Sequence, residues 1–449
     1  MKKAIVEESI LIASVIKWVF LASCTGLIVG MAATAFLSLL SLAINKSGNY
    51  HYAFLFLPLA FFLSAILTRY LAPDAEGHGT EKVIEAIHRQ ASKIPLAVVP
   101  VKLLATIITL AIGGSAGKEG PCAQIGAGVS SFFARLLKLD EKDRRKLVIC
   151  GISAGFATVF GTPIAGSIFG VEVLFVGAIL YDVLLPSFIA GVTAYQVSVF
   201  FGIPHPQMPV ITLPATNEIL ILKMIMAGII FGTVSTILIS SLETGRHLSE
   251  KIKIWMPAKG IIGGTILIIL AMIFGQQYLG LGLPLIIASL NGQTIFWATP
   301  FLKILFTSIT LNFGGSGGIV TPIFFIGATT GAVLANPLHL DQGLLAAIGF
   351  VSLLAGAANT PIAASVMAIE IFGPAIGSCA AISCIISYLV SGHRSVYPSQ
   401  VLAVKKSQSI NTECGMEMHS LHVSYQQREH ALFPNFLTFW KKQRNRWKH

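Results

Sequence analysis

Residues 102–127 read KLLATIITLAIGGSAGKEGPCAQIGA, and residues 303–328 read KILFTSITLNFGGSGGIVTPIFFIGA. At a constant offset of 201 the two stretches share 14 of 26 positions, among them Gly113/Gly314, Gly114/Gly315, Ser115/Ser316, Gly117/Gly318 and Pro121/Pro322. A second echo follows at offset 198, where Thr162-Pro-Ile-Ala165 with Ser167 and Glu172 returns as Thr360-Pro-Ile-Ala363 with Ser365 and Glu370. The chain reads as one unit written twice, over residues 1–205 and 217–398, with a linker at 206–216 and a basic tail at 399–449.

The solvent for this repeat is lipid. Of 449 residues, 54% are hydrophobic and 11% charged, where soluble domains carry about 25% charged residues. Mean hydropathy is +0.77. Residues 9–44, 147–180 and 343–391 hold one charge each, Lys17, Glu172 and Glu370, and a bilayer crossing needs about 20 apolar residues. The last run is broken by Asn359-Thr-Pro361 and Gly373-Pro374, which predicts short, interrupted helices. Forty-two glycines and twenty prolines suit membrane helices whose freed backbone groups are satisfied by other parts of the protein. The apolar stretch after Met1-Lys-Lys is too long for a cleavable signal and reads as a membrane segment. The net charge of +11 points to topology rather than nucleic acid, because the basic residues cluster outside the apolar runs. Residues 398–449 hold 8 Lys/Arg against 3 Asp/Glu, so the tail is expected on the cytoplasmic side of the cell (inner) membrane, with Arg144-Arg-Lys146 on the same side. The cysteines at 24, 122, 150, 379, 384 and 414 lack metal-ligand spacing and read as reduced packing residues. No metal and no cofactor is expected.

A twofold membrane repeat of broken helices is transporter and channel architecture, with the ion site near the midplane. Identity is compatible with parallel or inverted copies; an odd number of crossings per half makes them inverted, and inversion is expected. Each copy carries an apolar helix, Gly-Gly-Ser-x-Gly, then a proline opening another apolar helix. A helix N-terminus offers free N–H donors and roughly half a positive charge, which suits a partly dehydrated anion. The plain alternative is that the glycines serve close helix packing. Glu172 and Glu370 occur in both copies and read as structural, bonding a neighbouring helix end. Glu119 has no counterpart in the second copy, where Ile319-Val320 faces Lys118-Glu119. An intramembrane carboxylate is a functional candidate: ionised it competes with an anion for the same donors, and protonated it can swing away. Its plain alternative is a dipole partner at the helix start.

At this point the residues resemble a known family. Gly117-Lys-Glu-Gly-Pro121 followed by Gln124-Ile-Gly126 resembles the signature of the CLC chloride channels and proton-coupled chloride transporters. Gly317-Gly-Ile-Val-Thr-Pro322 is similar to the family's second pore motif, and Phe156-Ala-Thr-Val-Phe-Gly-Thr-Pro-Ile-Ala-Gly166 to the stretch after the gating glutamate. The resemblance runs over about residues 70 to 400. It implies an all-α polytopic fold of two inverted repeats, a homodimer with one pore per subunit, chloride or a similar halide as cargo, and Glu119 as the gate; the proton that Glu119 takes up and releases there offers a proton path from the same residue. The resemblance further implies an anion path lined by the amides of Gly120, Ile319 and Val320 and by the hydroxyl of Tyr397, which would otherwise read as an interfacial anchor.

Two departures bear on mechanism. The family's Gly-Ser-Gly-Ile-Pro turn appears as Gly77-His-Gly-Thr-Glu81, so His78 stands where a serine hydroxyl usually faces the anion. Its imidazole either donates to the anion, with a pH-dependent charge, or points into the cytoplasmic vestibule. Transporter members also carry a second glutamate where this chain reads Glu172-Val173. Valine at 173 cannot relay protons, which favours channel-like or weakly coupled flux over strict proton/chloride antiport. A fluoride exporter is the closest rival, although Pro121 keeps a proline from which that branch tends to depart. An intramembrane serine hydrolase built on Ser115 or Ser316 lacks a histidine inside any apolar run, and no enzyme is expected.

Overall fold

A computed structural model of the chain describes residues 2–204, 208–209, 211 and 218–425. Eight helices, α1 (Lys2–Gly48), α2 (Leu57–Leu71), α3 (Thr80–Arg89), α4 (Val98–Ala111), α5 (Glu119–Leu136), α6 (Glu141–Phe160), α7 (Pro163–Glu172) and α8 (Tyr181–Phe200), are followed by eight more in the same order. These are α9 (Glu218–Lys251), α10 (Met256–Phe274), α11 (Leu283–Leu290), α12 (Thr299–Asn312), α13 (Val320–Leu338), α14 (Gln342–Ala358), α15 (Pro361–Phe372) and α16 (Gly377–Val390). The run at 343–391 breaks into short helices at the two predicted points.

The repeat extends to the chemistry of the helix ends. Asp140 caps α6 by accepting from Asp143 N, and Asp341 caps α14 by accepting from Leu344 N, each satisfying an amide that has no intrahelical acceptor. At the far ends Gly161 (φ 70°) and Asn359 (φ 58°) take the left-handed conformation, a stop that glycine and asparagine accept at little strain. Pro163 and Pro361 then open the next helices.

The relation between the halves follows from two carboxylates. Glu172, at the end of α7, accepts from Ile362 N (3.0 Å) and Ala363 N (2.8 Å) at the start of α15. Glu370, near the end of α15, accepts from Ile164 N (3.0 Å) and Ala165 N (2.6 Å) at the start of α7. Each end therefore meets the other's beginning. Equivalent helices lie antiparallel, and the repeats are inverted. Negative charge at a helix N-terminus is the favourable sign, so both glutamates hold the structural place expected of them.

Among the described residues, six helical stretches are long and apolar enough to span a bilayer. Among them α13 is mostly enclosed by other helices, whereas α10 turns most of its surface outward. α5, α6, α13 and α14 fill the centre, and the loops that open α5 and α13 lie within it.

Part of the tail folds back onto the helices. Val401–Leu402 pairs in parallel with Phe175–Val176, Lys406 Nζ donates to Tyr388 O and Asn359 Oδ1 (both 2.6 Å), and Arg89 Nε donates to Glu417 Oε1 (2.6 Å). The linker at 206–216 lies mostly outside the described residues, and the basic end beyond 425 lies wholly outside them.

Candidate functional site

The two glycine turns meet at the middle of the molecule. Gly117 N donates to Gly318 O (2.6 Å), and Gly318 N donates to Gly117 O (2.7 Å). Symmetric bonds hold the flanks: Ser115 N to Thr310 Oγ1 and Ser316 N to Thr109 Oγ1, both 3.0 Å. The two serine hydroxyls pair with Thr307 and Thr106. They serve the junction between the halves, and among the described residues no histidine is bonded to either. The approach is so close that a methyl on Gly318 would sit 2.7 Å from Gly120 N and 3.2 Å from Pro121 Cδ.

This junction brings two helix N-termini together. α5 begins at Glu119 and α13 at Val320, each two residues ahead of its proline. The start moves upstream because the first-turn amides need no intrahelical acceptor, so proline is tolerated one turn in. The buried carboxylate of Glu119 reaches across to the other repeat. Thr321 Oγ1 donates to it at 2.6 Å, and Thr321 N and Lys118 N each donate to Oε2 at 3.1 Å. Gly120, Ile319 and Val320, all buried, lie at the same two helix starts, and their N–H groups have no hydrogen-bond acceptor among the described residues. Donors without acceptors and a carboxylate among them make a site that accepts negative charge.

Tyr397 is fully buried. Its hydroxyl faces Thr80 Oγ1 without a well-formed bond, and neither oxygen has a hydrogen-bond partner among the described residues. His78 presents its backbone carbonyl to Gly120, and the residue is among those lining a cavity of about 470 Å³, with Arg246, Glu81 and His419; its Nδ1 is buried and has no hydrogen-bond partner among the described residues. We call this cavity the tail-side vestibule. Burial, then the charges of Lys102 and Arg246, push the imidazole down to about 4, so His78 is neutral near pH 7. A second cavity of about 60 Å³ reaches Glu119 past Lys118, Phe160, Phe324 and Phe350 and shares no lining residue with the first. Val173 lines neither cavity: its side chain is fully buried and its carbonyl accepts from Gln400 Nε2 at 2.7 Å.

Sequence reasoning passed over three features. Thr321, the main donor to Glu119, takes the place of Gly120 in the other copy, and that asymmetry was readable. Lys102 and Lys303 open the two repeated stretches and are fully buried. Lys102 Nζ donates to Ala75 O and Gly77 O, and Lys303 Nζ to Tyr278 O and Gly280 O, each lysine fixing the loop before a short helix. Glu81 carried no signal in the repeat at all.

An inverted-repeat membrane protein with paired helix starts around a carboxylate is the class the fold and site define. The family of voltage gated chloride channels matches residues 59–392, and the chain belongs to that family. It is 36% identical over 401 residues to the chloride/fluoride channel protein of Pseudomonas syringae pv. tomato, covering 88% of each chain. It is 26% identical over 382 residues to the H(+)/Cl(-) exchange transporter ClcA of Salmonella agona, covering 78% of this chain and 80% of that one. Among solved structures, a CLC-type fluoride/proton antiporter superposes with a TM-score of 0.82 at 30% identity, covering 86% of this chain and 98% of that one. The family's members are anion transporters and channels, and this chain is a multi-pass membrane protein of that kind.

Proposed function

We propose that this protein moves small halide anions across the cell (inner) membrane through a path closed by Glu119 in the state described, with the chain's tail on the cytoplasmic side. The observation that supports it is the Glu119 carboxylate held by Thr321 and Lys118 where two helix starts converge. A halide entering this spot takes over the donors the carboxylate releases, with the amides of Gly120, Ile319 and Val320 and the bare Tyr397 hydroxyl available to complete its shell. Low dielectric strengthens each of these contacts. Residue 173 offers no proton carrier, so flux through this reading is channel-like unless protons enter elsewhere. A second reading makes fluoride the cargo; what supports it is the fluoride in the names of two relatives and the hydroxyl donors of Thr321, Tyr397 and Thr80. Family resemblance adds a homodimer with one path per subunit.

The test is halide release from liposomes, with chloride and fluoride separately and with simultaneous pH recording, for the wild type and Glu119→Gln. Halide release by the wild type, altered in its dependence on pH by Glu119→Gln, is the expected result. Liposomes that retain both halides with both proteins would overturn the reading.

A further inference from the structure

We propose that Glu81 is the tail-side station of a proton path to Glu119, in the role that valine at 173 cannot fill. This rests on the halide-transport reading and adds to it a route for protons.

Glu81 stands in the first turn of α3 with its two oxygens in different circumstances. Oε1 accepts from Ser399 N (3.0 Å) and Ser399 Oγ (2.6 Å). Oε2 is buried and has no partner among the described residues. A bare, desolvated carboxylate oxygen is costly, and a proton on it removes the cost. Glu81 is also among the residues lining the tail-side vestibule, which sets it beside a route for water. A tether for Ser399 alone would need neither the bare oxygen nor the opening to the cavity.

Its neighbours lead towards the gate. Ser399 lies two residues beyond Tyr397, and Thr80 precedes Glu81 and faces the Tyr397 hydroxyl. Tyr397 is within electrostatic reach of both Glu81 and Glu119. The start of α3 packs against the start of α5, where a methyl on Gly79 would sit 2.5 Å from Gly120 O. The Thr80 and Tyr397 hydroxyls, unpartnered among the described residues and able to accept and donate in turn, therefore lie near the junction of the two helix starts.

The charged and titratable groups around Glu81 are Lys82 and Glu85 on its own helix, Arg89 at that helix's end, Glu76 and His78 in the loop before it, Tyr397 after α16, and Arg246, Glu250, Lys259 and His419 across the vestibule. Lys82 is bonded to Glu85 (2.9 Å), Arg89 to Glu417, Arg246 lies 3.7 Å from Glu250, and Lys259 Nζ donates to Ser249 O, so among the described residues no cation is paired with Glu81. Burial raises the carboxyl to about 7, with Glu85 adding to the rise and the Ser399 bonds and Lys82 opposing it. Protonation and release both fall near neutral pH. The step is a simple transfer: hydronium in the vestibule gives a proton to Oε2 and is left as water, and Glu81 returns to the carboxylate when that proton passes outward to the Glu119 carboxylate.

The experiment measures halide and proton movement together in liposomes for wild type, Glu81→Gln and Glu81→Asp. Wild type is expected to move protons against halide. Glu81→Gln keeps an acceptor for Ser399 but cannot carry the proton, so halide flux stays within about twofold while proton flux drops at least about tenfold. Glu81→Asp restores measurable proton movement. An unchanged proton-to-halide ratio in Glu81→Gln refutes the proposal, as does a wild type that moves halide without protons. Loss of both fluxes in both variants refutes it too, since that marks a purely structural residue. Absence of halide movement in every sample would instead strike the transport reading itself.

Discussion

Removing the Thr321 hydroxyl while keeping its shape isolates the latch on Glu119. The hydroxyl lies 2.6 Å from both carboxylate oxygens, and a hydrogen bond to a charged group contributes about 1.5–3 kcal/mol. Thr321→Val leaves the bonds from Thr321 N and Lys118 N in place, so the latch is weakened rather than abolished. At tenfold per 1.4 kcal/mol, the latched state loses between about tenfold and about a hundredfold of its advantage. The substituted threonine is also a donor that a bound halide would use. Initial halide release from liposomes, measured over a range of halide concentrations, should therefore show a higher maximal rate and a higher half-saturating concentration. A variant matching wild type in both would refute the latch, because it would mean that the hydroxyl restrains neither carboxylate nor anion.

Glu172→Gln and Glu370→Gln each replace a charge at a helix start with a neutral acceptor. Each should lower stability by about 1–3 kcal/mol, the more buried Glu172 by more, read as a fall in thermal unfolding temperature in detergent. Gly318→Ala places a methyl against Gly120 N and Pro121; flux should be lost while the remaining folded protein stays helical by circular dichroism. His78→Asn should leave the dependence of flux on pH unchanged between about pH 6 and pH 8. The His78 value lies near 4, below its ordinary value, so the ring takes up its charge only in acid, and a profile flattened by the variant would contradict this. Glu417→Ala breaks a half-exposed ion pair with Arg89 worth about 0–1 kcal/mol; unfolding should barely move, whereas limited proteolysis after Lys405 and Lys406 should quicken.

Much of this was legible because the chain repeats itself. Breaks at Asn359-Thr-Pro361 and Gly373-Pro374 in an apolar run exposed the interrupted helices, and duplication exposed the paired turns and the structural duty of Glu172 and Glu370, since a feature kept by both copies serves what both copies share. The same logic isolated Glu119, present in one copy only. Thr321 was equally isolated and equally informative, but a threonine in an apolar helix draws less notice than a carboxylate. The buried lysines were visible as the first letter of both stretches; what could not be read was that loop carbonyls some 25 residues upstream would hold them. Glu81 was illegible for a different reason. Its partner Ser399 is 318 residues away, and it sits in an amphipathic helix where a glutamate ordinarily means a solvated face.

The exchanged carboxylates of α7 and α15 also govern how the protein is born. Ala165 is translated 205 residues before Glu370, the acceptor its amide will bond. At about 5–20 residues per second the ribosome takes roughly ten to forty seconds to supply it. Through that interval the nascent first half holds an uncapped helix start that bare hydrocarbon would penalise by several kcal/mol. Insertion machinery must shelter it from lipid until its counterpart arrives.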